Sequence, residues 1–500
     1  MRRRPGNWAR TLCAAAILGG ALLGPQAAAG ARPVPAVDPP APTDAVPPAV
    51  GDLSRKPAPL ATTQLRQECG SEFYLRPGGV PRDEPVAQKV LDLPAAWQAN
   101  PDQEHNRGAG QKIAVIDTGV SRNPYISSRI DVQPGGDYVS GTDGTEDCDG
   151  HGTVVAGIIA AKPSTDDGLV GVAPDAQILS IRQLSEHYQA KDQNGEKAPG
   201  NMAAQGYGPS LTLAAAVVRA ADMGASVINI SAASCTAANS DTGDGPLGNA
   251  VHYAFSKGVV VVAAAGNTGG TNTDCKVNAN YSDSATSWKN VNTVASPAWF
   301  DKYVLSVGWM MPDGSPSQQT LYGPWVGVAA IGQDVLGFDS NTGGVVNTSG
   351  YDDKNKKFIG IQGTSFAAPY VAGLAALLKA KYPNWSAREV MNQIILTAHQ
   401  PGTGRDDGVG AGMIDPVAAL TTQFSDAVRQ ADVPVLPNHV DSDKAHAFPA
   451  PEKPTGPAQL PRLVATVGSI VCLSALGIGL AVSIPFRRRR SDDELPDLDS

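Results

Sequence analysis

The stretch Gly363-Thr364-Ser365-Phe366-Ala367-Ala368-Pro369 decides how the rest of the chain is read. A small, tight turn places Ser365 in the first turn of a helix, because Tyr370, Val371, Leu374, Leu377 and Leu378 follow at helical spacing. Its hydroxyl then lies near unpaired backbone N–H groups and the positive end of the helix dipole, which favour an oxyanion forming nearby. Serine is also a favoured helix cap, so this stretch alone does not separate a nucleophile from a cap.

Two upstream segments do separate them. Lys112-Ile113-Ala114-Val115-Ile116-Asp117-Thr118-Gly119-Val120 is a β-branched run ending in an acid and a glycine. It reads as a buried parallel strand with Asp117 at its carboxyl end. In Asp149-Gly150-His151-Gly152-Thr153-Val154-Val155-Ala156-Gly157 a histidine opens an apolar, small-residue helix. Asp117, His151 and Ser365 thus supply an orienter, a base and a nucleophile, each at a strand or helix end.

Asp-Thr-Gly, His-Gly-Thr and Gly-Thr-Ser-Phe-Ala-Ala-Pro together resemble the motifs of the subtilisin-like serine proteases, from about Lys112 to Leu420. Ala264-Ala265-Gly266-Asn267, after the strand Val259-Val260-Val261-Val262, matches the family's oxyanion asparagine. Gly410-Ala411-Gly412-Met413-Ile414-Asp415-Pro416 resembles the segment that closes the family's domain. The resemblance implies an α/β fold, a subtilisin-like domain with a mainly parallel sheet flanked by helices. The residues agree: Ile178–Ile181, a helix over Leu211–Met223, Val227–Ile230 and Val259–Val262 alternate as strand and helix.

By the same resemblance Ser365 attacks a peptide carbonyl, His151 takes its proton and Asp117 orients His151. Asn267 and the Ser365 N–H hold the oxyanion. Ile230, Ser231, Ala232 and Ala233, with Ala263, Ala264, Ala265 and Gly266, would wall the substrate cleft. Their small side chains predict no demand for charge in the primary pocket.

A chain of 500 residues, 42% hydrophobic, holds one large domain with extensions and a core that needs no staples to fold. The net charge of −9, with no long basic face in the middle of the chain, argues against nucleic acid as a partner. Basic residues cluster instead at the two ends. Arg2, Arg3 and Arg4 precede an apolar core, Leu12 to Leu23, and the small residues Ala27 to Ala31, which reads as a secretory signal over 1–31. Residues 32–60 are rich in proline and alanine and read as a flexible arm rather than a folded inhibitory propeptide. Residues 61–105 carry Phe73, Tyr74, Leu75, Leu91, Leu93 and Trp97, and read as an extension that packs on the peptidase domain, 106–425.

A proline-rich linker follows over 426–461. Residues 462–486 include the uncharged run from Leu463 to Phe486, followed at once by Arg487-Arg488-Arg489-Arg490. That pattern reads as a transmembrane helix with its basic tail, 487–500, in the cytoplasm and the peptidase outside, a single-pass protein of the cell membrane.

Cys13 falls in the signal and Cys472 in the span, leaving Cys69, Cys148, Cys235 and Cys275. An even number in an exported domain predicts disulfides, with three possible connectivities. No Cys-x-x-Cys pair supports zinc. In the subtilisin-like fold the strands ending at Ile230 and before Asn267 are neighbours whose loops share one edge. The resemblance therefore implies Cys235 with Cys275, and leaves Cys69 for Cys148. No metal or cofactor is expected. Asp166-Asp167-Gly168 and Asp352-Asp353 read as solvated loops.

The whole architecture resembles the mycosins, proteases associated with type VII secretion systems of actinobacteria. That resemblance implies peptide or protein substrates and membrane components of such a system as partners. Two other functions fit the sequence: a surface degradative protease unrelated to secretion, and a mainly structural subunit of a secretion complex.

Overall fold

The computed structural model describes residues 37–102, 106–192, 201–269, 274–432, 434 and 459–491. The signal segment 1–31, the linker beyond 434 up to 458 and the tail beyond 491 lie outside the described residues.

Strand β1 (Lys112–Asp117) sits inside a seven-stranded sheet with β2 (Asp131–Asp137), β3 (Gln177–Arg182), β4 (Val227–Ile230), β5 (Val260–Ala264), β6 (Val304–Met310) and β7 (Val326–Ile331). The spatial order is β7-β6-β5-β4-β1-β3-β2, and every pairing is parallel. Parallel strands need covered faces, and β1 shows the consequence residue by residue. Ile113 and Val115 join one hydrophobic core, Ala114 and Ile116 the other, because successive side chains point to opposite faces. Helices α1 (His151–Ala160) and α4 (Thr364–Lys381) cover the first face. Helices α2 (Ser210–Asp222) and α3 (Gly245–Ser256) cover the second.

The chain runs from β1 to β2 and β3 on one side, then crosses to β4 and onward on the other. The carboxyl ends of β1 and β4 therefore flank a switch in strand order, where open α/β sheets leave a crevice. Asp117 ends β1 there, and Ser231 follows β4.

Residues 37–60 correct the expectation of a flexible arm. Val37 N donates to Trp288 O at 3.3 Å and Thr43 N to Asn249 Oδ1 at 2.7 Å. The helix Pro48–Arg55 buries Val50 completely in the core shared with α2. Two carbonyls of its last turn find donors on the body: Arg219 Nη1 reaches Ser54 O at 2.9 Å and Tyr138 Oη reaches Leu53 O at 3.3 Å. Prolines restrict the unfolded arm and so lower the entropy lost on docking. Few apolar residues suffice because the body supplies the missing hydrogen bonds.

The extension continues as the strand Thr63–Leu65, antiparallel to Tyr188–Ala190. Further on, Leu91, Leu93 and Ala96 enter the core beneath α1, and Trp97 Nε1 donates to Val172 O at 2.9 Å. Two disulfides close: Cys69–Cys148 and Cys235–Cys275, with Cα atoms 4.6 and 5.0 Å apart.

A second unit, within residues 440–500, contains the helix Gln459–Ser491. Its stretch Thr466–Ser483 has a mean hydropathy of 1.9 and is exposed along its whole length. Eighteen helical residues rise about 27 Å, close to the thickness of a bilayer's hydrocarbon core. By length and composition this helix can cross a membrane.

Candidate active site

β1 delivers Asp117, 1% exposed, to the base of the crevice, and α1 starts with His151 beside it. Asp117 Oδ1 accepts from Thr118 N at 2.7 Å and lies 2.8 Å from His151 Nδ1. The His151 side chain keeps about a quarter of its surface exposed and lines the cleft.

The nucleophile candidate comes from the sharp entry to α4. Gly363 takes φ +138°, and a Cβ there would lie 3.3 Å from Asn267 Nδ2. Both conformation and space therefore favour glycine. Asn267 Oδ1 accepts from Thr364 N at 3.0 Å and Thr364 Oγ1 at 3.1 Å. These bonds orient the amide and leave its Nδ2 donor for the cleft that Asn267 lines.

Pro369 stands inside α4 and has no N–H to give to the carbonyl four residues earlier. That carbonyl belongs to Ser365, and it accepts instead from Ser231 Oγ at 2.7 Å. Ser231 Oγ is itself held by Asn229 Nδ2 at 2.8 Å. One wall of the cleft is thereby hydrogen-bonded to the residue at its centre.

A cavity of about 350 Å³ gathers Asp117, His151, Ser365 and Asn267 with Ser231, Ala232, Ala233, Ala264 and Gly266. The residues expected from the sequence to serve catalysis and the oxyanion lie on this one surface with five of the expected wall residues, whereas Ile230, Ala263 and Ala265 point into the core and do not line it. Cys275 borders it too, and Phe73 and Met202 reach it from the extension and from the loop after Ser185. Sequence reading missed Phe73 and Met202 as cleft residues, since neither sits in a motif. An apolar residue near a cysteine tied to the histidine loop was the available signal for Phe73.

Asp147 and Asp149 were also passed over. Asp147 Oδ1 accepts from Thr118 Oγ1 and Gly150 N, both at 2.8 Å. Its Oδ2 accepts from Thr153 N at 2.9 Å and Thr153 Oγ1 at 2.6 Å. One buried carboxylate thus joins the end of β1 to the start of α1, fixing Asp117 and His151 relative to each other. Asp149 accepts from Ser185 Oγ and Glu186 N, each at 2.7 Å. Burial, with Asp147 nearby, pushes its carboxyl up to about 6. For His151, burial alone would lower the imidazole pKa. The Asp117 carboxylate, with Asp147 and Asp149 behind it, more than offsets that and holds it above the ordinary value.

The model of the subtilase family matches residues 108–412. Mycosin-3 of Mycobacterium tuberculosis is 38% identical over 472 residues, 92% of this chain and 95% of its own. The chain belongs to the mycosins, within the subtilase family. As a mycosin it is a serine endopeptidase of subtilisin-like fold. Two solved structures extend the likeness to three dimensions. The MycP3 protease from the type VII (ESX-3) secretion system superposes with a TM-score of 0.67 at 40% identity, covering 78% of this chain and all of that one. A chain of the intact ESX-5 inner membrane complex gives 0.68 at 36% identity, covering 89% of this chain and all of its own.

Proposed function

We propose that this mycosin cuts peptide bonds with Ser365 as nucleophile, His151 as general base and then acid, and Asp117 as the group that orients and charge-stabilises His151. The observation that carries this reading is the 2.8 Å contact between His151 Nδ1 and the buried Asp117 carboxylate, on the cavity that Ser365 and Asn267 also line. As Ser365 Oγ adds to the scissile carbonyl, its proton passes to His151 Nε2. The oxyanion forms between Asn267 Nδ2 and the Ser365 N–H at the start of α4. His151 then returns the proton to the leaving amine, and water repeats the sequence on the acyl-enzyme. The small walls at Ala232, Ala233 and Ala264 suit an uncharged side chain before the cleaved bond.

We place the activity outside the cytoplasm, with the signal segment 1–31 removed and the helix Gln459–Ser491 spanning the cell membrane. Residues 37–60 and the extension 61–105 then belong to the body, 106–425 form the peptidase domain, 426–461 the linker, 462–486 the span itself and 487–500 the cytoplasmic tail. The likeness to a chain of the ESX-5 inner membrane complex supports membrane components of a type VII secretion system as partners, with secreted proteins of that system as substrates. In this reading the protein both processes such substrates and stabilises the complex.

Ser365→Ala should abolish hydrolysis while the melting temperature stays at the parent value, since a small residue for a half-exposed one disturbs no core packing. Peptide cleavage by purified full-length protein measures the first and thermal unfolding the second. Residual turnover near the parent rate would refute the assignment. Co-purification of Ser365→Ala with the secretion membrane complex, where the parent does so, would separate the structural role from catalysis.

A further inference from the structure

Residues 69–76 of the extension are fastened at both ends around the loop that carries the catalytic histidine. Cys69 is bonded to Cys148, three residues before His151, and Gly70 N donates to Cys148 O at 3.1 Å. Beyond, Tyr74 N donates to Thr348 O at 3.0 Å, and Arg76 N donates to Asn347 Oδ1 at 2.9 Å. Between these anchors the strap passes very close to Gly150. A Cβ there would lie 2.2 Å from Ser71 Oγ, and Gly150 has φ +83°. Only glycine admits the strap at this distance.

The strap's position places Phe73 beside the reacting groups. Its ring meets Phe366 edge-on with centroids 5.9 Å apart, and its centroid is 6.4 Å from that of His151. Phe366 lies 5.0 Å from His151 in turn. The imidazole therefore rests against two rings, one adjacent to Ser365 and one brought by the extension. Phe73 is half-buried and borders the cavity that His151 and Ser365 line.

A histidine ring has a broad, roughly two-fold preference about its second torsion. The hydrogen bond to Asp117 selects which way the ring is flipped, but one bond still permits it to swing. Packing against two apolar rings narrows that swing, and aromatic pairs of this geometry contribute beyond simple burial. Because Phe73 and Phe366 also meet each other, they form one continuous apolar patch beside the imidazole, and Phe366 alone makes only part of it.

The geometry points to Phe73 as a positioning residue: the N-terminal extension supplies one wall of the catalytic cleft and, with Phe366, holds the His151 imidazole in the orientation that turnover requires. This rests on Asp117, His151 and Ser365 acting as proposed. The extension is then part of the working enzyme rather than a cover to be removed.

The test uses full-length protein in detergent with a peptide substrate. Phe73→Ala should lower kcat about tenfold, the scale expected when a catalytic group is imperfectly held, with KM changed less than about twofold. Phe73→Leu, which restores apolar bulk, should recover most of the loss. If Phe73→Ala folds poorly, Phe73→Val, which keeps an apolar stem without the ring, replaces it. A rise in kcat/KM would make the strap an inhibitory cover, and an unchanged kcat would make Phe73 a bystander; either overturns the proposal. So would a folded Phe73→Leu no more active than the alanine variant. Ser365→Ala run in parallel keeps the two readings apart. If it stays active, the triad assignment fails; if it is dead while Phe73→Ala equals the parent, only the role of Phe73 fails.

Discussion

One wall of the catalytic cleft is made from strand ends. Ser231, Ala232 and Ala233 follow β4, and Ala264 ends β5 with Gly266 and Asn267 after it, so the sheet that builds the core also sets their spacing. Another wall is made from an added segment, residues 69–76, that belongs to no strand of the sheet. Each is stapled once: Cys235–Cys275 joins two loops of the sheet-built wall, and Cys69–Cys148 joins the strap to the histidine loop. The sheet-built wall would keep its approximate place without its staple, because β4 and β5 pair in register behind it. The strap has no such backing, and its order depends on local ties. The first wall can thus host transition-state contacts, whereas the second is suited to steadying a side chain that is already placed.

The sharpest way to break this comparison is through Asn267, the donor of the sheet-built wall. Asn267→Ala should lower kcat by roughly a hundred- to a thousandfold with little change in KM, through loss of one oxyanion donor. That exceeds the tenfold effect expected at Phe73. If the two substitutions had equal effects, the division of labour between the walls would be wrong. Thermal unfolding run alongside would check that loss of the Thr364 hydrogen bonds leaves the fold intact.

The two staples offer the next comparison. In the chain-entropy view their loops, 79 and 40 residues apart in sequence, differ by only about 0.6 kcal/mol in closure cost. Replacing either pair by serine should therefore cost about 2–4 kcal/mol, and stability does not tell the staples apart. Activity does. Cys69→Ser with Cys148→Ser frees the strap beside His151 and should lower kcat. Cys235→Ser with Cys275→Ser loosens the loops around the primary pocket and should raise KM. Steady-state kinetics on the two double variants would measure this, and the same kinetic signature from both would erase the distinction.

What the sequence made legible follows the same division. β1, β3, β4 and β5 were readable because buried parallel strands are short β-branched runs, and Asp117, His151, Asn267 and Ser365 sit at their ends or at helix starts in motifs of fixed wording. The cysteine partners followed once those strands had neighbours. Residues 37–60 were not readable. The helix Pro48–Arg55 has eight residues, no side-chain cap and one fully buried apolar residue, Val50. So short a helix is not stable by itself, and its docking depends on Arg219 and Tyr138, far away in the chain. The loop after Ser185 is hard to read for the same reason: its polar composition suggests a free surface, yet Met202, Ala203 and Tyr207 are buried. Tyr207 Oη accepts from Leu60 N at 2.7 Å, so the loop is covered by the extension.

The smallest effect separates the arm from the strap. Val50→Ala removes two methyl groups from a fully buried site in the core shared with α2, a loss of about 1.5 kcal/mol at roughly 0.8 per buried carbon. That loss falls on the contact between the arm and α2, and local units can open without global unfolding. The ribbon Thr63–Leu65 with Tyr188–Ala190, and then Cys69–Cys148, stand between the arm and the cleft. They should absorb the disturbance before it reaches Phe73. Val50→Ala should therefore speed proteolytic nicking around residues 56–62 several-fold while kcat and KM stay at parent values. Limited proteolysis followed by mass mapping reads the first, and kinetics on uncut protein the second. A fall in kcat matching that of Phe73→Ala would mean that the arm and strap move as one, and that docking on α2 itself tunes the histidine.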